Sequence, residues 1–213
     1  MVESRSKSEV LSETAKTYIQ KIFKEKELGI YEEINSKYLT KGIENEDIAI
    51  QMAAEAYDWD FVTKNTERFT NDFVTGEPDI LTDTLLADVK CSWNAKTFPM
   101  FESELKNKMY FWQLQSYMWL TGHETSELVY VLTNTPHEIV EDEVRREHWK
   151  ANLIEENLDL RDAIQKMHNF DHLPLELRVK RFIVQRDEKA IEKIKEKVKH
   201  ANTYYETLRE IFN

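Results

Sequence analysis

Apolar residues recur at helical spacing near both ends of the chain and at alternating spacing in short runs between them. From Ser8 to about Glu27, Val10, Leu11, Tyr18, Ile19 and Ile22 form one stripe and predict a helix. A second helix is predicted from Ile43 to Tyr57, with Glu46, Ala49, Ile50, Ala53 and Tyr57 on one face. Between Asp60 and Cys91 the runs shorten to "DFV", "NDFV", "DIL" and "LLADVKCS", separated by turn-forming residues, which predicts three or four antiparallel strands. Helical spacing returns from Glu102 to Leu120. "ELVYVLTN" then reads as a strand, "IVEDEVRREHWKANLIEE" as a helix and "LRVKRFIVQR" as a strand. Asp187 to Phe212 closes the chain as an amphipathic helix, with lysines 189, 193, 195, 197 and 199 on its solvated face. The order predicts an α/β (α+β) fold in which helices flank a central mixed sheet. No repeat or Gly/Ser linker interrupts it, so residues 1–213 read as one domain.

Composition sharpens this picture in three places. Four Gly and four Pro are too few for an all-β plan with many tight turns. The single cysteine, Cys91, excludes an intramolecular disulfide and any Cys-ligated zinc or iron–sulfur site within one chain, and reads as a small buried apolar residue. No apolar run approaches the roughly 18 residues of a membrane span, and "MVESRSKSEV" carries no signal-peptide core, which predicts a cytoplasmic chain with no membrane partner. The net charge of −11 argues against a surface that coats nucleic acid, though not against a local basic channel.

The candidate chemistry lies in "TGEPDILTDTLLADVKCS", residues 75–92. Alternation along a strand places Leu85, Ala87, Val89 and Cys91 on one face and Leu86, Asp88 and Lys90 on the other, so one face is core and the other carries an acid and a base. A reversal centred on Asp83-Thr84 sets Asp79 opposite Asp88, and like charges at cross-strand distance repel. A divalent cation between them reverses that sign, and hard oxygen donors suit Mg²⁺ or Mn²⁺. An acid-x-Lys triplet alone carries little weight, since Glu104-Leu105-Lys106 and Asp187-Glu188-Lys189 share it; neither follows a Pro-Asp strand. The ordinary alternative is that Asp88 and Lys90 are solvent-facing strand residues.

Two helices add to the set. Glu46 heads an apolar stripe, whereas Glu44 lies with Asp47, Gln51 and Glu55 on the polar face. An inward-facing carboxylate needs a partner. In "MYFWQLQSYMWLTG", Gln113 and Tyr117 are neighbours on one side with Met109 and Leu120, while Gln115 projects about 160° away from Gln113.

A helix glutamate, Pro-Asp, Asp-x-Lys and a glutamine-bearing helix, in that order, resemble the PD-(D/E)xK nuclease superfamily. Within it the chain is similar to the lambda-exonuclease-like and YqaJ-type viral recombination nucleases, through "SEV", "KGIENEDIA", "GEPD", "DVKCS", "QLQSYMWL" and "VQRDEKAI". The resemblance implies a restriction-endonuclease-like core and a Mg²⁺-dependent deoxyribonuclease, with Mn²⁺ able to substitute. It implies that Asp79, Asp88, the Val89 carbonyl and Glu46 hold the metal, and that Lys90 orients or polarises the attacking water. The lambda-like pattern selects Gln115; the Gln-x-x-x-Tyr pattern of RecB-like nucleases selects Gln113 and Tyr117. The lambda-like enzymes have a longer N-terminus, with an arginine upstream of the Ser-Glu-Val stretch that helps hold a 5′ phosphate; here Arg5 and Ser8 are the candidates for that contact, with Gln113 and Gln115 as further DNA-contacting candidates, and Arg178, Lys180 and Arg181 are candidates to line a channel. The implied activity is 5′-to-3′ removal of nucleotides from linear double-stranded DNA ends in phage-type recombination. The implied assembly is a trimer ring working with a single-strand annealing protein in the bacterial or phage-infected cytoplasm. A PD-(D/E)xK endonuclease in defence or restriction, and a non-catalytic DNA-binding protein on the same fold, are the alternatives. The iron–sulfur nuclease of CRISPR adaptation, which needs four cysteines, is excluded.

Overall fold

The computed structural model describes residues 10–34 and 36–212. Helix α1 (Glu13–Leu28) starts where the Ser12 hydroxyl accepts the Ala15 N–H at 3.2 Å, and it stops at Gly29, whose φ of 66° continues no right-handed helix. The helix predicted over 43–57 is α3 (Glu46–Tyr57), and a separate helix that the periodicity does not announce, α2 (Lys37–Glu44), precedes it. Asn45 breaks them: its side-chain amide donates to Thr133 Oγ1 at 3.2 Å and to the Asn134 carbonyl at 2.8 Å, which anchors the joint.

The short runs before Cys91 form four strands in two separate sheets. β1 (Phe69–Thr70) and β2 (Thr75–Gly76) make an isolated antiparallel ribbon. β3 (Ile80–Leu81) and β4 (Leu86–Cys91) enter the main sheet, where β5 (Thr125–Val131) and β6 (Val179–Gln185) complete the order β3-β4-β5-β6. The β4–β5 pair is parallel and the others antiparallel, so the sheet is mixed. A parallel pair needs a crossover, and α4 (Lys108–Thr121) supplies it. That helix begins at Lys108 rather than near Glu102, because the Asn107 side chain accepts the Met109 N–H at 2.9 Å and fixes the start there. The predicted helix through residue 156 ends at Lys150 (α5, His137–Lys150), and a further helix α6 (Leu158–His168) begins after the Asn157 cap. α7 (Glu188–Phe212) closes the chain.

Both faces of the main sheet are covered. Ala49, Ile50 and Ala53 of α3 pack on Ile80, Ala87, Val89, Val129 and Val131. Leu114, Tyr117 and Met118 of α4 pack on Leu86, Leu128, Phe182 and Val184. Strand β4 is therefore buried on both sides, as a strand with a parallel neighbour usually is. The ordinary alternative, in which Asp88 and Lys90 are solvent-facing strand residues, does not hold for Asp88, which is buried on the α4 side of the sheet beside Gln113.

Candidate active site

Ile80 pairs with Ala87 and Leu81 with Leu86, the register that a turn centred on Asp83-Thr84 requires. Asp79 thus falls opposite Asp88, just beyond the end of the ladder. In place of a backbone bond, Asp79 Oδ2 accepts the Val89 N–H at 2.6 Å. The N–H and carbonyl of one strand residue point to the same edge. The Val89 carbonyl therefore lies on the Asp79 side of β4, where β3 no longer pairs.

Asp88 is 1% exposed. Its Oδ2 meets Lys90 Nζ at 2.5 Å but accepts no well-directed hydrogen bond, and Oδ1 takes a long one from Gln113 Nε2 at 3.4 Å. Gln113 Nε2 also donates to Tyr117 Oη at 2.8 Å, which locks the amide against the sheet. Burial raises the Asp79 carboxyl to about 7, with the neighbouring Asp88 charge adding to the rise and Lys90 opposing it. Burial likewise pushes Asp88 above the ordinary carboxylate range. For Lys90 burial works downward, yet Asp88 and Asp79 outweigh it and hold the ammonium charged.

Glu46 arrives from the opposite face, as the first residue of α3, and its charge raises both aspartates further. Its Oε2 is held by Lys64 Nζ at 2.7 Å. Among the described residues no three acidic, His or Cys side chains meet as a ready-made metal cage. Mg²⁺ does not need one, because it keeps several waters and is commonly held by one or two carboxylates plus substrate phosphates. Asp79, Asp88 and the Val89 carbonyl fit such a cation: Asp88 Oδ2 has only the Lys90 ammonium beside it and no well-directed hydrogen bond, which leaves its lone pairs open to a metal.

Glu46 and Asp79 stand between two clefts. The first, about 640 Å³, is also lined by Tyr38, Leu39, Ile43, Lys90, Trp93 and Tyr110. The second, about 380 Å³, is lined by Lys64, Asn65, Arg68, Gly76 and Tyr117. α2 forms one wall of the first cleft with its polarity inverted: Tyr38, Leu39 and Ile43 are exposed while Lys41 is buried. Lys41 Nζ donates to the Trp93 carbonyl at 2.9 Å, the Thr133 carbonyl at 2.8 Å and Thr135 Oγ1 at 3.1 Å, tying the ends of β4 and β5 together.

Several sequence candidates fall elsewhere. Gln115 is fully buried; it donates to the Gln185 carbonyl and accepts the Asp187 N–H, both at 2.8 Å, and so staples α4 to the β6–α7 junction. It reaches neither the acids nor solvent, and Gln113 with Tyr117 holds the position beside Asp88. Arg178, Lys180 and Arg181 do not share one channel wall. Arg178 bonds the Leu132 carbonyl, Arg181 pairs with Glu127 at 3.2 Å and lies over the Tyr57 ring, and strand alternation points Lys180 to the opposite face. Cys91 is half-buried and borders the first cleft. Arg5 and Ser8 lie outside the described residues. Lys41 and Gly76 open the motif strings "KGIENEDIA" and "GEPD" but carry no role in the sequence reading, because Lys41 precedes the helix expected over 43–57 and the contact of Gly76 with Tyr117 is long-range; Lys64 has no motif, and its contact with Glu46 is long-range too.

A mixed sheet flanked by helices, with Pro-Asp entering β3 and Asp-x-Lys in β4, is the core of the PD-(D/E)xK nucleases. No family model matches the chain, nor does any curated protein. Among solved structures, a phage-related exonuclease from Haemophilus somnus 129PT superposes with a TM-score of 0.77 at 32% identity, covering 100% of this chain and 92% of that one. An alkaline exonuclease (LHK-Exo) from Laribacter hongkongensis superposes with a TM-score of 0.65 at 18% identity, over 95% of this chain and 86% of that one. The same enzyme in complex with dAMP gives 0.61 at 19%, over 92% and 82%. The chain belongs to the phage-related exonuclease family, of the lambda-exonuclease and YqaJ-like type.

Proposed function

We propose that this nuclease is a divalent-metal-dependent deoxyribonuclease that removes nucleotides from the ends of linear double-stranded DNA, 5′ to 3′, in phage-type recombination or DNA processing. The observation that carries the reading is the grouping of Asp79, Asp88 and Lys90 at the end of the β3–β4 ladder, between two open clefts. Asp79, Asp88 and the Val89 carbonyl would hold Mg²⁺ or Mn²⁺, with Glu46 beside them. When bound, the cation supplies Lewis acidity to the attacked phosphate. Lys90, charged throughout the neutral range, aims its ammonium at the charge that develops on the phosphate and orients the attacking water. Gln113 holds one Asp88 oxygen, and Tyr117 holds Gln113.

A chain of net charge −11 has weak affinity for phosphate, and a ring of three copies around the duplex would keep it on its substrate without that affinity. The reading places the protein in the cytoplasm of a bacterium or phage-infected host, supplying single strands to an annealing protein. No described helix is long and apolar enough to cross a membrane. Digestion of end-labelled linear duplex, with and without Mg²⁺, beside a covalently closed circle tests the activity: metal-dependent release of nucleotides from the linear DNA alone is expected. Equal cleavage of the circle replaces the exonuclease with an endonuclease. Light scattering that gives a monomer mass with and without DNA removes the ring.

A further inference from the structure

Among the described residues, Glu46 is the candidate metal ligand whose carboxylate is held by a partly exposed cation from another segment. Lys64 lies between α3 and β1, and its Nζ stands 2.7 Å from Glu46 Oε2. Its backbone is fixed in place by its neighbour. The Asn65 N–H donates to the Asp79 carbonyl at 2.8 Å, and the Asn65 side chain donates to the Pro78 carbonyl at 2.9 Å. Lys64 is therefore tied to the strand that delivers Asp79, and it lines the second cleft together with Glu46 and Asp79. The Glu46–Lys64 side chains are 28% and 41% exposed, so the pair separates at modest cost. Lys90 and Asp88, by contrast, form a pair whose carboxylate is 1% exposed.

We propose that Lys64 is a tethered counter-cation that competes with the divalent ion for Glu46 and so sets the metal affinity of the site. The proposal rests on Asp79, Asp88 and Glu46 being the ligands. In the metal-free protein Lys64 neutralises one Glu46 oxygen, Oε2, at 2.7 Å. Glu46 would be free to join a bound cation only as Lys64 withdraws into the second cleft. Lys64 is thus a positioning residue.

The test is a titration of the whole chain with Mn²⁺, followed by electron paramagnetic resonance or calorimetry in the absence of DNA. Lys64→Met should bind Mn²⁺ tighter by about two- to fivefold, the range open to a partly exposed ion pair. Lys64→Arg should restore the wild-type affinity. Glu46→Gln should weaken binding, and Lys64→Met added to it should change nothing further. Arg68→Met removes a cation from the same cleft that pairs with Glu77 at 3.0 Å, and it should leave the affinity unaltered. Unchanged or weaker binding in Lys64→Met overturns the proposal, as does a gain that persists on Glu46→Gln or appears equally in Arg68→Met. Mn²⁺ binding that survives both Asp79→Asn and Asp88→Asn, or no binding by wild type, removes the metal assignment itself and the proposal with it.

Discussion

The Asp79 carboxylate accepts the Val89 backbone N–H at 2.6 Å, just beyond the last paired residues of β3 and β4. The side chain thereby continues a ladder that the backbone has abandoned, and it is held against Asp88 by that bond. Burial, with Asp88 adding, lifts its carboxyl to about 7. Between an unfolded value of about 4 and that level, the folded protein keeps a proton that the unfolded chain has lost. The stabilisation is fully present below the unfolded pKa and disappears as pH rises through about 7. The metal-free protein should therefore melt higher at pH 5 than at pH 8. Asp79→Asn, which still accepts the Val89 N–H, should shrink the difference and abolish metal-dependent cleavage. Thermal melts with chelator at both pH values check this.

In the proposed reaction Lys90 would add charge at the reacting phosphate, and in the structure it accompanies a carboxylate that is 1% exposed. Lys90→Met keeps most of the side-chain packing and removes the ammonium. Turnover should fall about 10²–10³-fold, the usual cost of removing one preorganised group from a developing oxyanion. DNA binding should persist. Burial already raises the Asp88 carboxyl, and without Lys90 it rises further. The metal-free variant should keep its stability at pH 5 and lose more than wild type at pH 8, measured by urea titration.

The local parts of this fold were readable because alternation and turn chemistry act over a few residues. The Asp83-Thr84 reversal set the pairing of Ile80 with Ala87, and so brought Asp79 opposite Asp88. Glu46 fell on the α3 side of the sheet as its stripe predicts, while Glu44 is exposed. What failed depended on distant partners. Asn45 breaks the helix because Thr133 and Asn134 lie across from it, and no residue near it in sequence announces them. The β1–β2 ribbon looks like part of the sheet by composition, yet it pairs only with itself. Arg181 is paired with Glu127, a partner on another strand that the sequence around it does not announce.

Gln113 and Gln115 divide the roles that sequence left open between them. Gln115→Leu leaves the Gln185 carbonyl and the Asp187 N–H without their buried partner. That should cost about 1–3 kcal/mol of stability. Turnover per folded molecule should hardly change. Gln113→Leu, beside Asp88 and partly exposed, should do the reverse and reduce turnover with a small effect on stability. Chemical denaturation and single-turnover cleavage on both variants separate them; matching profiles would mean that neither glutamine is specialised.

Gly76 tests how tightly the site is built from behind. A Cβ at this position would lie 2.6 Å from Tyr117 Cε1 and 2.8 Å from Cδ1. The Tyr117 ring is 8% exposed and wedged among Leu86, Leu114 and Met118, so it has little room to yield. Gly76→Ala should therefore destabilise by about 1–3 kcal/mol, as overpacking does. Moving the ring also moves the hydroxyl that holds Gln113 at 2.8 Å, and turnover should fall with it. Steric and hydrogen-bonding effects separate in a small cycle. Tyr117→Phe removes only the hydroxyl and should lower turnover without the clash. Tyr117→Leu added to Gly76→Ala should recover part of the stability and none of the turnover. Recovery of both would show that Tyr117 fills space and does not hold Gln113 in place.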